Sequence, residues 1–528
     1  MSLEGLKLLK MEKTRVYPSR RLSTTISTPL SILDATVARF APTGAIWLYD
    51  NPADSYDERE LLNNLKISLE ITLNDFPQWA GQLHWTPVRP GGSHTERFNR
   101  PLVTYGTDSD PGIEWRVIRH ESLSVKSLAP SADERAGFGV WIGDQFDQSL
   151  LISNTLLPLH NLRDCEGLPA MQVQINLFSD GGYGIGIKMA HVLADAQTLM
   201  VFVHQWAANS RKTFGADGDD NVSPFAGPPI FDPALLDASA AGDIDAPVAD
   251  PKIVDEARQL PLHRFDWWKT DEPGYSPFLI PTTENSKPSA NGLHSSQVSP
   301  STAPPWSTWD FSRPVSHTQL HFPGSKIAQL KQDAAVEGGP EISRLDALLA
   351  HVWAMINRAR GYSHSSEDVY LNLTLGARPR VSPPFPESFT GSPLFITHIR
   401  QSGASACTSS VGHTARQIRE TMRLFTPEKV GAILYDAAHE VSPQRLWQAF
   451  LGTRHTIVAS WLRLQLYKVD FLGKGQKARY VHALMPKMDG CVQIMDTGVD
   501  DGGIDVVLYL DKEAMGRLLL DFDKALSI

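Results

Sequence analysis

Two stretches of the chain place their apolar residues on one helical face. In residues 59–76 apolar side chains recur every three or four positions, and the pattern stops at Pro77. Residues 343–358 repeat this spacing after Ser343, which stands three positions before Asp346, as in a capping box. Each stretch predicts an amphipathic helix whose apolar stripe packs against a core.

Alternation of apolar with polar or small residues predicts three strands. It runs through residues 171–177 and again through 183–189, with the turn-forming sequence SDGG at 179–182 between them. A third alternation covers residues 369–375. The first two strands predict a hairpin with one buried face. Helices and strands occur on both sides of the chain's midpoint, so we expect a mixed α/β fold.

A change in composition predicts the domain organisation. Residues 211–309 are rich in Pro, Gly, Ser, Asp and Ala, a composition that buries little apolar surface and favours irregular structure. We therefore predict an N-terminal domain at 1–210, a crossover at 211–309 and a C-terminal domain at 310–528. Within the crossover, the aromatic-rich stretch 264–281 is expected to pack back on the body of the protein.

Composition narrows the class of protein. The chain has 528 residues, of which 42% are hydrophobic and 20% are charged, as is typical of globular enzymes. A wholly disordered, collagen-like or coiled-coil chain is excluded. The net charge of −10 disfavours a nucleic-acid partner, because binding to phosphates needs a basic surface.

Cysteine usage and hydropathy indicate the compartment. Cys165, Cys407 and Cys491 share no CxxC spacing, which disfavours both a disulfide framework and a zinc knuckle. Free thiols suit a reducing compartment. No uncharged apolar run reaches the ~18 residues that a membrane span needs, and residues 1–15 do not resemble a secretory signal. We expect a soluble, cytoplasmic protein without a membrane partner.

The candidate chemistry lies where the second predicted strand meets a helix. His191 follows that strand, and Asp195 stands near the start of an apolar helical pattern, where the helix dipole favours a carboxylate. The HxxxD spacing also occurs at His160–Asp164, in a stretch without clear periodicity, and at His364–Asp368, in a polar turn before a predicted strand. Only His191 lies at a strand-to-helix junction. A buried histidine that serves packing alone is the structural alternative.

Signatures of several other enzyme classes are missing. The chain contains no GxSxG, no GxxxxGK[ST] and no HExxH. The sequence GGYGIG at 181–186 lies in the predicted hairpin and lacks the order of a dinucleotide-binding loop.

Seven segments carry a family resemblance in a fixed order. They are TPLSILDATV (28–37), LKISLEITLNDFPQWAGQL (65–83), HVLADA (191–196), RLDALLAHVWAMINRARG (344–361), LGARPRVSPPFPESFTGS (375–392), SWLRLQLYKVDFLGKG (460–475) and GGIDVVLYLDKEAMGRL (502–518). Together they resemble the BAHD family of acyl-CoA-dependent acyltransferases. Two segments depart from its pattern: DFLGKG replaces DFGWG and lacks the tryptophan, and Phe389–Ser392 replaces a segment ending in FGN. The altered DFGWG and the long crossover look more like fungal members, such as the trichothecene 3-O-acetyltransferases, than like plant members.

The resemblance implies a fold and a catalytic centre. Two similar domains of the chloramphenicol acetyltransferase-like type, each with a mixed sheet, would meet around a solvent channel. Acyl-CoA would enter from one face and the acceptor from the other. His191 would lie between them as the general base, and Asp195 would give structural support through an ion pair with Arg378.

The resemblance also implies roles for residues farther from the base. Ser460 and Lys474 are candidates for CoA binding, and Lys477 and Arg479 could meet its phosphates or form an ordinary solvated run. Asp470 and Gly473 would be structural. Trp47 and Tyr49 are candidates for the acceptor pocket, with core packing as the alternative.

The function implied is acyl transfer, with acetyl as the expected group, from acyl-CoA to a hydroxyl of a small natural product. An amine acceptor is a variant of the same reaction. No bound cofactor, metal or covalent intermediate is expected, and the family is mostly monomeric. One alternative is a condensation-type enzyme using a carrier-bound acyl group, which Ala190 and Ala196 disfavour because that class reads HHxxxDG. The other is an inactive ligand-binding homologue, which the missing tryptophan would favour and the retained His191 and Asp195 disfavour.

Overall fold

The computed structural model describes residues 11–52, 57–97, 100–158, 165–215, 224–269, 273–274, 298–473 and 475–526. Its strands are β1 (Met11–Val16), β2 (Ile26–Pro29), β3 (Thr43–Tyr49), β4 (Gln82–Trp85), β5 (Pro101–Tyr105), β6 (Ile113–His120), β7 (Val140–Ile142), β8 (Met171–Phe178), β9 (Tyr183–Met189), β10 (Phe265–Asp266), β11 (Val315–Phe322), β12 (Asp368–Gly376), β13 (Leu394–Ser402), β14 (Leu446–Trp447), β15 (His455–Ser460), β16 (Tyr480–Ala483), β17 (Cys491–Met495) and β18 (Ile504–Asp511). Its helices are α1 (Ile32–Thr36), α2 (Glu58–Thr72), α3 (Val125–Leu128), α4 (Ala132–Phe138), α5 (Ala196–Thr213), α6 (Pro233–Asp237), α7 (Pro251–Arg258), α8 (Gly324–Gly338), α9 (Arg344–Ala359), α10 (Gly403–Thr408), α11 (Val411–Arg423), α12 (Pro427–Ala438) and α13 (Lys512–Leu526).

The elements with clear periodicity form as predicted. Helix α9 begins after Ser343, whose hydroxyl accepts a hydrogen bond from the Asp346 amide in a capping box. Strands β8 and β9 form the predicted hairpin, and β12 covers the third alternation. Helix α2 ends at Thr72, before the predicted end at residue 76, and i to i−3 hydrogen bonds continue the turn from there. Pro77 disfavours helical backbone in the residue before it, and Phe76 accordingly has a non-helical φ of −131°.

Two large mixed sheets dominate the fold, and each takes a strand from the other half of the chain. The first has the order β1-β6-β8-β9-β3-β16, so it ends on a strand from beyond residue 310. The second has the order β13-β12-β15-β17-β18-β11-β7, so it ends on a strand from before residue 210. Domain boundaries at residues 210 and 310 remain a proposal. Two edge strands, β7 and β16, pair with the sheet of the other half of the chain.

The described part of the crossover is more ordered than its composition predicts. It contains α6 and α7, each with a proline at its first position, where the missing amide hydrogen costs no bond. It also supplies β10, which pairs with β14. The aromatic stretch packs back as expected as far as it is described: Phe265, Trp267 and Trp268 are buried. The expectation of irregular structure was wrong for these segments, because apolar side chains such as Leu236 and Leu260, as well as these rings, are buried in the core.

A buried arginine fixes the crossover to the C-terminal half. The Arg445 side chain is fully buried, and its guanidinium contacts Asp266 of the crossover. Its Nε donates to Glu440 at 2.9 Å. A second, more exposed arginine, Arg258 on α7, lies 3.0 Å from Asp436. Removing one partner of a buried ion pair is costly, because the other charge is left without compensation.

We expect Arg445→Met to destabilise the protein by about 3–5 kcal/mol, since it leaves the buried Asp266 carboxylate without a cationic partner. The midpoint of urea unfolding and the rate of limited proteolysis within residues 211–309 measure the effect. Arg258→Met is the matched control and should change both much less, because Asp436 keeps its pair with Arg264. Equal losses in the two variants would contradict a special role for Arg445.

Candidate active site

The candidate base lies in a tight turn between a strand and a helix. Strand β9 ends at Met189, and His191 opens a single 3₁₀ turn over His191–Leu193. Asp195 is the N-cap of α5, and its carboxylate accepts a hydrogen bond from the Thr198 amide at 2.8 Å. The sequence folds this way because the alternating pattern of β9 ends where the helical pattern of α5 begins, with a capping carboxylate at the junction.

Asp195 holds the turn to the C-terminal half through a two-pronged ion pair. The Arg378 guanidinium donates to both Asp195 carboxylate oxygens, at 2.6 Å and 3.0 Å, and both side chains are buried. It also donates to the Thr198 hydroxyl at 2.8 Å and to the Phe389 carbonyl at 2.7 Å. Both Asp195 oxygens thus take part in hydrogen bonds that hold the turn and the C-terminal half together. No hydrogen bond joins the Asp195 carboxylate to the His191 ring.

The loop before β13 lies along the same turn. The Asp195 amide donates to the Gly391 carbonyl at 3.0 Å, and Ala194 forms a parallel bridge with Gly391. The backbone of Gly391 has φ +118°, a conformation that side chains disfavour, and a Cβ there would meet the Asp34 carboxylate at 3.1 Å. A glycine is needed at this close approach.

The His191 ring has a polar and an aromatic neighbour. Its Nδ1 lies 2.9 Å from the Ser392 hydroxyl, and the edge of the Phe40 ring lies against it with centroids 5.4 Å apart. Burial lowers the pKa of His191 from 6.5 to about 4, against the opposing effects of its own backbone carbonyl and of Asp195. The imidazole is therefore neutral at physiological pH.

Asp34, on α1, completes this arrangement from the opposite side. One carboxylate oxygen accepts the Ser392 amide at 2.5 Å, and the other accepts the Ser31 amide at 3.0 Å and the Ser31 hydroxyl at 2.6 Å. Burial raises the pKa of Asp34 to about 6, although these hydrogen bonds act to lower it.

Sequence reasoning assigned no role to Asp34 or Ser392. The Ser31-to-Asp34 spacing is a capping-box signal for α1, but it gives no hint of a contact with Ser392. Ser392 is 201 residues from His191, and a pair so distant leaves no trace in local periodicity.

The aromatic candidates for the acceptor pocket lie in the core. Trp47 and Tyr49 are each 0% exposed. The Trp47 indole donates to the Leu466 carbonyl at 3.1 Å, and the Tyr49 hydroxyl donates to the Val469 carbonyl at 2.9 Å. This burial favours core packing, the alternative to an acceptor-pocket role, because these rings pack β3 against the C-terminal half and present no surface to solvent.

The structural candidates in DFLGKG shape a turn. The Asp470 carboxylate accepts the amides of Leu472, Gly473 and Gln476 at 2.9 to 3.2 Å. Gly473 has φ +74°, which favours glycine. This network holds the segment without the family's tryptophan.

The CoA-binding candidates are spread along the same part of the chain. Ser460 ends β15 and is exposed, and Lys477 is also exposed. Arg479 is engaged with Asp50 at 3.2 Å and Glu134 at 3.1 Å, which leaves it less able to meet a phosphate. Lys474 lies outside the described residues.

The other HxxxD pairs do not reproduce the geometry of His191. His364 is exposed in a turn before β12. His160 and Asp164 lie outside the described residues.

The fold is the two-domain, chloramphenicol acetyltransferase-like fold of CoA-dependent acyltransferases. The structure superimposes on that of TRI101 from F. graminearum in complex with ethyl coenzyme A, with a TM-score of 0.64, 16% identity and coverage of 94% of this chain and 97% of that one. For vinorine synthase the TM-score is 0.59, with 18% identity and 96% coverage of both chains.

The sequence comparisons define the family. The model of the Transferase family matches residues 6–91, 146–251 and 297–524. Acyltransferase AFT15-1 of Alternaria alternata is 28% identical over 533 residues, which cover 97% of this chain and 96% of that protein. The chain therefore belongs to the Transferase family, the BAHD-type acyltransferases that its motifs resemble. In the described part of the chain, no helix has both the length and the hydropathy that a bilayer crossing requires.

We expect Arg378→Met to lower the free energy of unfolding by about 3–5 kcal/mol, since it leaves the Asp195 carboxylate buried and unpaired. Chemical denaturation measures the change. Arg21→Met is the control: Arg21 lies 2.8 Å from Asp108, but both side chains are almost fully exposed, and such pairs contribute little. A loss in Arg378→Met no larger than in Arg21→Met would contradict the structural role of the buried pair.

We expect His191 to titrate near pH 4 in the folded protein, since burial penalises its charged form. Its pKa is lower in the folded than in the unfolded chain, so the unfolded state binds more protons as the pH falls from 6.5 towards 4. The free energy of unfolding should therefore decrease as the pH falls from 6.5 to about 4. NMR of histidine-labelled protein gives the pKa, with His191→Gln assigning the signal and showing weaker acid destabilisation. Titration of His191 near 6.5 would contradict this account.

Proposed function

We propose that the chain transfers an acyl group, acetyl by default, from acyl-CoA to a hydroxyl group of a small natural product. The observation that carries the proposal is the placement of His191. Its imidazole is neutral, lies in a turn fixed by Asp195 and Arg378, and has its Nδ1 engaged by Ser392. Family membership supports acyl transfer, and the proposal adds the donor, the acceptor atom and the base.

The chemistry requires a base and no covalent enzyme intermediate. A thioester is already activated towards attack, whereas a hydroxyl is a weak nucleophile until its proton is removed by a group within hydrogen-bond reach. In the proposed reaction, Nε2 of His191 accepts the hydroxyl proton as the oxygen attacks the thioester carbonyl. The tetrahedral intermediate then collapses, the carbon–sulfur bond breaks, and the imidazolium returns the proton to the CoA thiolate.

The low pKa of His191 has two consequences in this scheme. The ring is ready to accept a proton at any pH well above 4. The same burial makes the imidazolium unfavourable, which promotes the return of the proton to the leaving thiolate. Asp195 acts as a structural support, because its oxygens are used by Arg378 and by the α5 amide.

The remaining assignments belong to the same proposal. TRI101 was crystallised with ethyl coenzyme A, which supports acyl-CoA as co-substrate here. Ser460 and Lys474 are proposed to contact CoA, and Asp470 and Gly473 to shape the turn between them. A cytoplasmic monomer without a resident metal is proposed. An amine in place of the hydroxyl would use the same base.

We expect His191→Ala to lower the rate of acyl transfer by about 10²–10⁴-fold, the usual contribution of a general base. Purified protein is incubated with a panel of acyl-CoAs and candidate alcohols, and release of free thiol is followed. His364→Ala is the matched control and should keep the wild-type rate, because that exposed histidine has the same spacing to an aspartate but lies in a surface turn.

Other outcomes would point to the alternatives. Turnover with a carrier-bound acyl group but not with free acyl-CoA would favour the condensation-type reaction. Binding of neither CoA nor acyl-CoA, measured by calorimetry, would favour an inactive homologue. An unchanged rate in His191→Ala would exclude this histidine as the base.

A further inference from the structure

Two histidines, one from each half of the chain, contact the same segment of the crossover. We call this segment, residues 237–246, the strap; it runs from the last residue of α6 towards α7. His94 comes from the N-terminal half and contacts two carboxylates of the strap. His439 comes from the C-terminal half and contacts the last carbonyl of the strap. The strap is therefore held from both sides by imidazole rings.

The His94 ring lies between two carboxylates. Its Nδ1 is 2.9 Å from an Asp245 oxygen and its Nε2 is 3.1 Å from an Asp237 oxygen, and the side chain is only 13% exposed. An ionised carboxylate only accepts hydrogen bonds, and a neutral imidazole carries one N–H. Only the imidazolium ion can donate to both carboxylates, so this arrangement favours a proton on each ring nitrogen.

The His439 ring lies between two carbonyl oxygens. Its Nδ1 is 3.0 Å from the Tyr435 carbonyl, and its Nε2 is 3.2 Å from the Ala246 carbonyl of the strap. A carbonyl cannot donate, so the imidazolium is again the form that satisfies both contacts. His439 is also the C-cap of α12, where the helix dipole favours a cation.

Charged groups face the two rings from the neighbouring elements. Around His94 the acids are Asp34, Asp237, Asp243 and Asp245, and the guanidinium groups are those of Arg97 and Arg100. The acids outnumber the guanidinium groups with or without a proton on Asp34. Around His439 the acids of α12 are already paired: Asp436 with Arg258 and Arg264, and Glu440 with Arg445. Arg97 also donates to the Ala246 carbonyl at 2.8 Å, which opposes a second cation there. The surroundings therefore favour the imidazolium more strongly at His94 than at His439.

The strap also holds the first helix of the candidate site. One Asp237 oxygen accepts the Ile32 amide at 2.7 Å, and the other lies against the His94 ring. Ile32 is the first residue of α1, and Asp34, two residues further on, belongs to the arrangement around His191. A movement of the strap would therefore reach the turn that carries the candidate base.

We propose that His94 and His439 form a pH-sensitive clamp, which holds the strap between the two halves as long as both rings are imidazolium ions and releases it as the pH rises above neutrality. Released rings would return to water, where a histidine loses its proton near pH 6.5. The closed form thus binds more protons than the released form, and its advantage falls by up to about tenfold per pH unit for each proton lost. This inference goes beyond acyl transfer and does not depend on it.

Hydrogen exchange of the full chain, followed by mass spectrometry, tests the clamp. Exchange is compared at about pH 6 and about pH 8.5 and corrected for the chemical exchange rate at each pH. The reporter is the peptide that contains the Ala241 amide, which donates to the Gly431 carbonyl of α12 at 2.9 Å. In the wild type we expect protection of the strap to fall about tenfold between the two pH values, and protection of α9 to change less than about twofold.

Variants assign this effect to the two rings. The double variant His94→Gln/His439→Gln has no titrating ring at the strap, so protection there should be low and nearly equal at both pH values. His94→Arg keeps a cation between the two carboxylates at every pH, and the fall should shrink to about threefold or less. His413→Gln is the matched control and should behave as the wild type does, because His413 is exposed on α11.

Three results would overturn the inference. The first is equal protection of the wild-type strap at both pH values. The second is a fall in the double variant as large as in the wild type, because the pH dependence would then arise elsewhere. The third, a fall in His94→Arg as large as in the wild type, would overturn the role of His94. The measurement uses no substrate, so failure of the clamp is distinguishable from failure of acyl transfer, which His191→Ala tests.

Discussion

The buried ion pair between Asp195 and Arg378 is the constraint on which the rest of the site depends. It takes a carboxylate from the turn after β9 and a guanidinium from the segment after β12, and it leaves neither charge exposed. Isolated, each charge would be expensive to bury. The two halves of the chain therefore meet at this point in the folded state. The His191 turn and the loop before β13 are held in a fixed position relative to each other.

The fixed position of this turn explains how the His191 ring can be desolvated and still be available to accept a proton. The Ser392 hydroxyl and the Phe40 ring lie against the imidazole, and burial lowers its pKa. The hydrogen bond between the Asp195 amide and the Gly391 carbonyl holds the turn in place. A flexible histidine would gain solvent and with it a pKa near that of free imidazole. Here rigidity and desolvation come from the same contacts.

The parts that could be predicted from sequence are those with local signals. Helix α9 shows its start in the Ser343–Asp346 spacing, and the hairpin of β8 and β9 shows its turn in SDGG. The partner of Asp195 came from family resemblance alone. The contact of Ser392 with His191, the packing of Trp47 on the far half and the order in the crossover depend on residues far apart in sequence, which no local pattern encodes.

The exchange of edge strands has a consequence for how the protein is made. On the ribosome, β3 receives its outer neighbour β16 only after nearly the whole chain has been synthesised. Until then the edge of β3 is an open template for pairing with other nascent chains. A gene fragment that encodes the N-terminal half alone would therefore yield a sheet with a permanently uncovered edge, prone to self-association.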